Sequence, residues 1–249
     1  MPERYRPIGY LTQLVRRRTS DRVRCGPFAS MHYSAGAIGS AYLPKLLGCY
    51  ERELTTVVEA VCSERPKLIV DIGAAEGYYA VGLARRNPQA RVIAFEQNPA
   101  GRIALERMCW LNGVHDRVDV RGHCSPADLE PALQGGLEPS PHNGKGPFVL
   151  CDVEGDEGFL LDPKAVPGLK SAWLLVETHD FIHPGITELL QARFAATHLV
   201  QQIWQEPRLG AEFPFQSIGT AMLPKSYLDW AVSEWRPVRM SWLWMKPHG

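Results

Sequence analysis

Apolar residues along this chain fall into two kinds of run that take turns. Short blocks with little polar interruption alternate with segments whose apolar positions recur every three or four residues. Continuous apolar blocks read as strands covered on both faces, as in a parallel sheet, and the longer spacing reads as helix. The pattern predicts strands at Leu68–Ile72, Arg91–Phe95, Val118–Arg121, Pro147–Cys151, Ala172–Val176, His198–Trp204 and Met240–Met245. Helices are predicted around Tyr10–Arg17, over Tyr50–Val61, from Tyr79 to Asn87-Pro88, from Pro99 to about Leu111, and near Gly185–Ala195 and Lys225–Glu234. Ser125-Pro126 reads as an N-cap followed by a first-turn proline. Residues 134–147, rich in Gly, Pro, Ser and Asn, read as a mobile surface loop. Residues 31–48 read as loop and short turns, either a lid or, more simply, an N-terminal wrap. The expected fold class is α/β: a Rossmann-like, doubly wound, mainly parallel seven-stranded sheet with helices on both faces and an N-terminal helical extension. The last two strands are expected as an antiparallel, hairpin-like edge. The expected division is an extension at 1–49 and a main domain at 50–249.

Three of these strands run into a carboxylate: Asp71, Glu96 and Asp152. In a parallel sheet the carboxyl ends of the strands share one edge, where ligands bind. After the first strand, Gly73, Ala75 and Gly77 place small residues at every second position, so backbone can approach a ligand closely. Glu96 follows about twenty residues later, the spacing of an acid that takes the two hydroxyls of a ribose. A dinucleotide site asks for G-x-G-x-x-G with a pyrophosphate on the helix N-terminus. Here two acids, Asp71 and Glu76, flank that position, so an anion is repelled and a cationic or zwitterionic ligand is favoured. S-adenosylmethionine, with its sulfonium, amino group and adenosine, fits better than NAD.

Asp71-Ile-Gly-Ala-Ala-Glu-Gly77 followed by Glu96 resembles motifs I and II of class I S-adenosylmethionine-dependent methyltransferases. Asp152-Val-Glu-Gly-Asp-Glu157 resembles the D-V-E-G-x-E signature of the FkbM-type methyltransferase family. Tyr50-Glu51-x-Glu53, Gly77-Tyr78-Tyr79 and Val176-Glu177 are also similar to that family, over about residues 50–205. Glu76 stands where the family often has Asn, and Ala75 replaces the usual central glycine. The resemblance implies that Asp71 and the turn through Gly73, Ala74, Ala75 and Gly77 cradle the methionine part. Glu96 would hold the ribose with Gln97 beside the adenine. His123 and Cys124 would meet the adenine edge, and Asp152 would face both sulfonium and acceptor.

The acceptor-side candidates are Asp152, Glu154, Glu177, His179, Asp180 and His183, with His179 as base for a hydroxyl. The catalytic set expected is Asp152, His179 and Glu154. Glu154 and Glu157 are alternatively residues that order the turn into the next helix. One or two of Tyr33, Tyr42, Tyr50, Tyr78 and Tyr79 are expected in the acceptor pocket. No metal is expected. The alternative is a hard divalent ion on Asp152 with Glu177, His179 or Asp180. The leading reaction is O-methylation of a small-molecule hydroxyl. The alternatives are nitrogen methylation, metal-assisted O-methylation, an NAD-dependent oxidoreductase and a non-catalytic binding module.

Composition narrows the setting. The 249 residues carry 27 basic and 27 acidic side chains, so no net field recruits nucleic acid. The local exception is residues 1–24, with seven arginines against two acids, read as a solvated basic arm. The six cysteines show no CxxC pair or regular spacing, which argues against a zinc cluster or a disulfide framework. No apolar run approaches a membrane span, and no signal-peptide pattern opens the chain. A cytoplasmic enzyme with a small-molecule acceptor and no nucleic-acid or membrane partner is expected, with a homodimer as an allowed assembly.

Overall fold

The computed structural model describes residues 7–33, 36–38, 40–134 and 146–248. Most of the loop expected at 134–147 lies outside the described residues. In chain order the elements are α1 (Pro7–Thr19), α2 (Tyr42–Leu47), a 3-10 turn at Arg52–Leu54, α3 (Thr55–Glu64), β1 (Leu68–Ile72), α4 (Tyr78–Arg86), β2 (Arg91–Phe95), α5 (Pro99–Leu111) and β3 (Val118–Arg121). They continue with α6 (Pro126–Gln134), β4 (Phe148–Cys151), α7 (Glu157–Leu160), β5 (Trp173–Thr178), α8 (Ile186–Phe194), β6 (His198–Trp204), α9 (Ile218–Ala221), α10 (Lys225–Val232) and β7 (Ser241–Pro247).

The seven strands form one sheet in the order β3-β2-β1-β4-β5-β7-β6. The first five pair in parallel, and β7 runs antiparallel to both β5 and β6. The late pair therefore makes the antiparallel edge that the pattern predicts, with β7 inside it and β6 outermost. Residues 68–72 of β1 are all buried and alternate between two cores. Leu68, Val70 and Ile72 join one with α6 and α8, while Ile69 joins the other with α3, α4 and α5. Helices thus cover both faces, and the strand order reverses between β1 and β4, where such sheets open a crevice.

Several expectations move. The segment 31–48 contains a helix, α2, whose Pro44 falls in its first turn and whose Gly48 ends it at φ 82°. The helix expected over Tyr50–Val61 begins later, because Glu51 is left-handed (φ 45°) and a 3-10 turn intervenes. Ser125 Oγ donates to Asp128 (2.5 Å), which also accepts from the Ser125 N–H, so it is not acting as a side-chain acceptor cap. β5 runs through Glu177 to Thr178 rather than ending before them. No helix among the described residues is long and apolar enough to cross a membrane.

The N-terminal residues share a core with the sheet domain. Leu11, Val15, Phe28, Met31, Tyr33 and Leu46 are buried in the same cluster as Val81, Leu83 and Leu105. One charged contact ties the segment down. Glu76, 0% exposed, accepts from Tyr33 Oη (2.5 Å), Lys45 Nζ (2.5 Å) and the Ile38 N–H (2.9 Å). Removing one member of a buried pair strands the other charge, at about 3–5 kcal/mol. Lys45→Met is therefore expected to lose stability on that order in urea denaturation, and Lys45→Met with Glu76→Gln to recover much of the loss.

Candidate functional site

Asp71 sits within β1, Glu96 follows β2, Asp152 follows β4, and Glu177 lies in β5. Parallel pairing in register brings them to one edge, where they line a single cavity of about 350 Å³. Gly73, Ala74 and Ala75 form its floor, and Gln97, His123 and Cys124 line it beyond Glu96. Glu154 and His179 line the opposite side. Gly77 lies just outside as the left-handed cap of α4 (φ 93°), where a Cβ would strike Leu105. Of the predicted tyrosines, Tyr50, Tyr78 and Tyr79 reach the cavity, whereas Tyr33 turns to Glu76.

The turn is built for close approach. Gly73 has φ +84°, and a Cβ there would stand 1.7 Å from the Asp152 carbonyl oxygen. Ala75 takes φ 48°, and its N–H donates to Glu96 Oε2 (2.8 Å) while the Asn98 N–H donates to Oε1 (2.6 Å). Two backbone donors thus fix the Glu96 carboxylate at the rim of the turn, with its remaining lone pairs available to a ligand's hydroxyls. His123 is exposed, and Cys124 is buried with its thiol pushed up to about 12, chiefly by burial.

Asp71 is 1% exposed, and neither carboxylate oxygen has a hydrogen-bond partner. Burial raises its pKa to about 8; Asp152 and Glu96 push the same way, and the Ala80 backbone and Lys45 pull weakly against them. A buried acid with unmet oxygens in a cavity wall suits a cationic group, whose charge restores the carboxylate. Glu76 corrects the sequence reading. It does not face the ligand: Lys45, Tyr33 and the Ile38 N–H hold its pKa below the ordinary carboxylate range against the cost of burial. Of the two acids that flank the turn in sequence, only Asp71 faces the cavity.

Across the cavity His179 is 2% exposed. Its Nδ1 hydrogen-bonds Glu157 Oε1, and its Nε2 lies 3.6 Å from Asp152 Oδ1 and 3.7 Å from Glu154 Oε2. Burial works against its charged form, but the Glu157 hydrogen bond and the neighbouring acids raise its pKa above the ordinary value. Two acceptor-side candidates lie elsewhere. Asp180 accepts from Gly185 N–H, Thr187 N–H and Thr187 Oγ1 at the start of α8, because four unpaired N–H groups there need an acceptor. His183 packs against Gly155 outside the cavity.

Three functional neighbours were not singled out as site residues. Glu157 braces His179, and the D-V-E-G-x-E spacing carried that signal. Lys45 neutralises Glu76. Arg236, in the loop before β7, donates to Glu51 and Glu177, with Nε 3.2 Å from Glu234. Nothing local in the sequence marks Arg236, because two of its partners, Glu51 and Glu177, come from distant segments.

No protein-family model matches the chain. No curated protein matches it in sequence. Solved structures do match in fold. The O-methyltransferase TomG from Streptomyces achromogenes, involved in tomaymycin synthesis and crystallised with SAM, is 15% identical; the match covers 96% of this chain and 89% of that one, with a TM-score of 0.48. An O-methyltransferase from Bacillus cereus in complex with SAH is 14% identical over 80% of this chain and 84% of that one, with a TM-score of 0.46. A precorrin-6y C5,15-methyltransferase from Geobacter metallireducens is 15% identical over 61% and 76% of the two chains, with a TM-score of 0.41. Identities this low carry no residue-level correspondence.

The Asp71 titration has a thermodynamic consequence. Its folded-state pKa, about 8, exceeds the ordinary 3.8, so the folded chain holds a proton that the unfolded chain releases between those values. The stability that Asp71 contributes therefore falls as pH rises from about 4 to about 8. Asp71→Asn is expected to flatten that fall by roughly 2 kcal/mol or more, measured as the difference in urea denaturation between pH 5 and pH 8 for variant and parent.

Proposed function

We propose that this chain is an S-adenosylmethionine-dependent methyltransferase of the class I type, acting on a hydroxyl of a small molecule, in the cytoplasm. The observation that carries the reading is one cavity with two chemically different ends. At one end lie the unpaired Asp71, the glycine turn and the backbone-fixed Glu96. At the other, the Glu157-braced His179 faces Asp152. The D-V-E-G-x-E run supports the finer FkbM-type assignment, since its first and last acids, Asp152 and Glu157, both contact His179. Six unpaired cysteines suit a reducing compartment. Residues 1–49 would be an extension that walls the cofactor side of domain 50–249, with Ile38 and Ser40 at the cavity.

Asp71 and the Gly73–Ala75 backbone would hold the methionine portion, Glu96 the ribose diol, and Gln97, His123 and Cys124 the adenine edge. When bound, the cofactor supplies an electrophilic methyl group on a sulfonium. The chain's own residues handle the acceptor. Glu157 holds the Nδ1 proton, which leaves Nε2 as the basic nitrogen facing the cavity. His179 Nε2 takes the hydroxyl proton, and Asp152 and Glu154 stabilise the imidazolium that results. Orientation by the walls supplies the remainder of the effect.

One observation favours a second reading. Asp152, Glu154 and His179 present ligand atoms within 4.8 Å of one another, and Glu157 on Nδ1 is the kind of support that metal-bound histidines have. These residues would hold a divalent ion that orients and acidifies the acceptor hydroxyl. Glu177, named in the sequence alternative, lies outside this group of ligand atoms, and Asp180 is held by the α8 N-terminus. Manganese binding followed by electron paramagnetic resonance tests this: a Glu154-dependent bound signal supports the ion, and free-ion spectra throughout reject it.

Two outcomes test the leading reading. Glu96→Ala is expected to weaken S-adenosylmethionine binding by about 100-fold in calorimetry, the loss of a charge-assisted pair of hydrogen bonds; unchanged affinity would refute the ribose assignment. His179→Gln is expected to lower kcat by about 10²–10⁴ with cofactor affinity retained. Because His179 must be neutral to act, the rate rises with pH through its raised pKa. Glu157→Gln removes the largest factor raising that pKa and should move the rising limb to lower pH.

A further inference from the structure

Beyond Asp152 the cavity continues between Glu177, His179 and the 234–237 segment, with the Tyr50 ring in its wall. Lys45, Arg236 and His179, which line the cavity, are each already held by acids, while His123 lines it exposed, beside Cys124. Lys45 donates to Glu76 and to Ser40 Oγ (2.6 Å). Arg236 serves Glu51, Glu177 and Glu234. His179 gives Nδ1 to Glu157. Behind the wall, Arg208 is shared by Glu53 (2.5 Å) and Glu234 (2.8 Å). Four buried glutamates thus divide two guanidinium groups, while Asp152 adds another carboxylate facing the space and Glu154 one at its rim.

Burial first, then Glu234 and Asp152 against Arg236, bring Glu51 to about 7. Burial and then Asp152 lift Glu177 well above the ordinary carboxylate range. Asp71, in the same cavity, has both oxygens unpartnered. Around Asp152 and Glu177, carboxylates therefore outnumber cations, and the cations described there, Lys45, Arg236 and His179, are all engaged and leave none for an acceptor's carboxylate or phosphate. It also already receives cations on aromatic faces: Lys45 Nζ lies 4.8 Å and the Arg236 guanidinium 6.0 Å from the Tyr50 ring centre. Phe181 and Trp235 offer further rings at the mouth, 46% and 53% exposed.

We propose that the acceptor carries a protonated amine beside its hydroxyl, the ammonium seated between Asp152, Glu177 and the aromatic wall and the hydroxyl directed to His179. This rests on the methyltransferase reading with no metal at the acidic edge. A neutral polyol would leave the shortage unfilled, and a hydroxy acid would deepen it.

The test uses the full chain and isothermal calorimetry. Titration with S-adenosylhomocysteine judges the cofactor reading by itself. Three probes of one shape are then titrated with and without that nucleoside: trans-2-aminocyclohexanol, trans-cyclohexane-1,2-diol and trans-2-hydroxycyclohexanecarboxylate. The amine is expected to bind at least about tenfold more tightly than the diol, and the hydroxy acid not to bind. Glu177→Gln should reduce the preference for amine over diol to under about threefold. Glu154→Gln, at an exposed position that does not threaten folding, should reduce it in the same direction. Equal or tighter binding of diol or hydroxy acid overturns the proposal, as does absence of amine binding when the nucleoside binds normally. A diol that overtakes the amine once manganese is added overturns it in favour of the metal reading.

Discussion

Like charge gathered at one sheet edge is the constraint from which the site follows. A parallel sheet points the ends of its strands the same way, so acids at the ends of β1, β2, β4 and β5 meet whatever their distance in sequence. In a water-poor crevice such charges must be paired, protonated or met by a ligand. This chain uses all three solutions. Glu76 is paired by Lys45, Glu51 and Glu177 share Arg236 while burial favours their protonated forms, and Asp71 keeps two unpartnered oxygens in the cavity wall. Among the described residues Asp71 is the buried acid with both oxygens unpartnered, and it lines the cavity, which is why the charge pattern bears on the ligand.

The paired acids also explain the parts of the chain that look accessory. Lys45 comes from α2 and Arg236 from the loop before β7, segments with no strand signal of their own. Each reaches the sheet edge as a counter-charge. The N-terminal residues therefore contribute more than cover: Glu76, on the turn that approaches the ligand, has its hydrogen bonds satisfied by Tyr33, Ile38 and Lys45. Arg236 links Glu51, ahead of α3, to Glu177 in β5. The two clamps close the crevice from opposite ends with side chains instead of backbone pairing.

Much of the fold was legible because it rests on local pattern. α5 at Pro99–Leu111, β3 at Val118–Arg121 and β6 at His198–Trp204 stand where periodicity and the Pro and Asn-Gly signals put them. The misses have physical causes. α2 is six residues long and carries a proline, so it has too few turns to show a period. Glu51 takes a left-handed conformation that its type disfavours, and this delays α3. In the site, Asp71 and Glu96 could be placed from the motif because each follows from its own strand. Glu76 could not, because the sequence shows a carboxylate without showing that a lysine 31 residues earlier neutralises it. Asp180 was misplaced for a related reason: an acid near a strand end and an acid capping the next helix look alike until the helix start is known.

The two ends of the cavity are mechanically one object. A Cβ on Gly73 would collide with the Asp152 carbonyl, and the Asp152 N–H donates to the Ile72 carbonyl at 2.9 Å. The turn that would hold the cofactor is thus in backbone contact with the residue that faces the acceptor. Glu157, which fixes the His179 ring, begins α7 five residues after Asp152, so the brace and the acid descend from the same strand end. A shift of the turn large enough to admit a different ligand would carry Asp152 with it and change its 3.6 Å relation to His179. Gly73 is therefore held small by the neighbouring strand itself, a constraint that stands even where a ligand would tolerate a side chain.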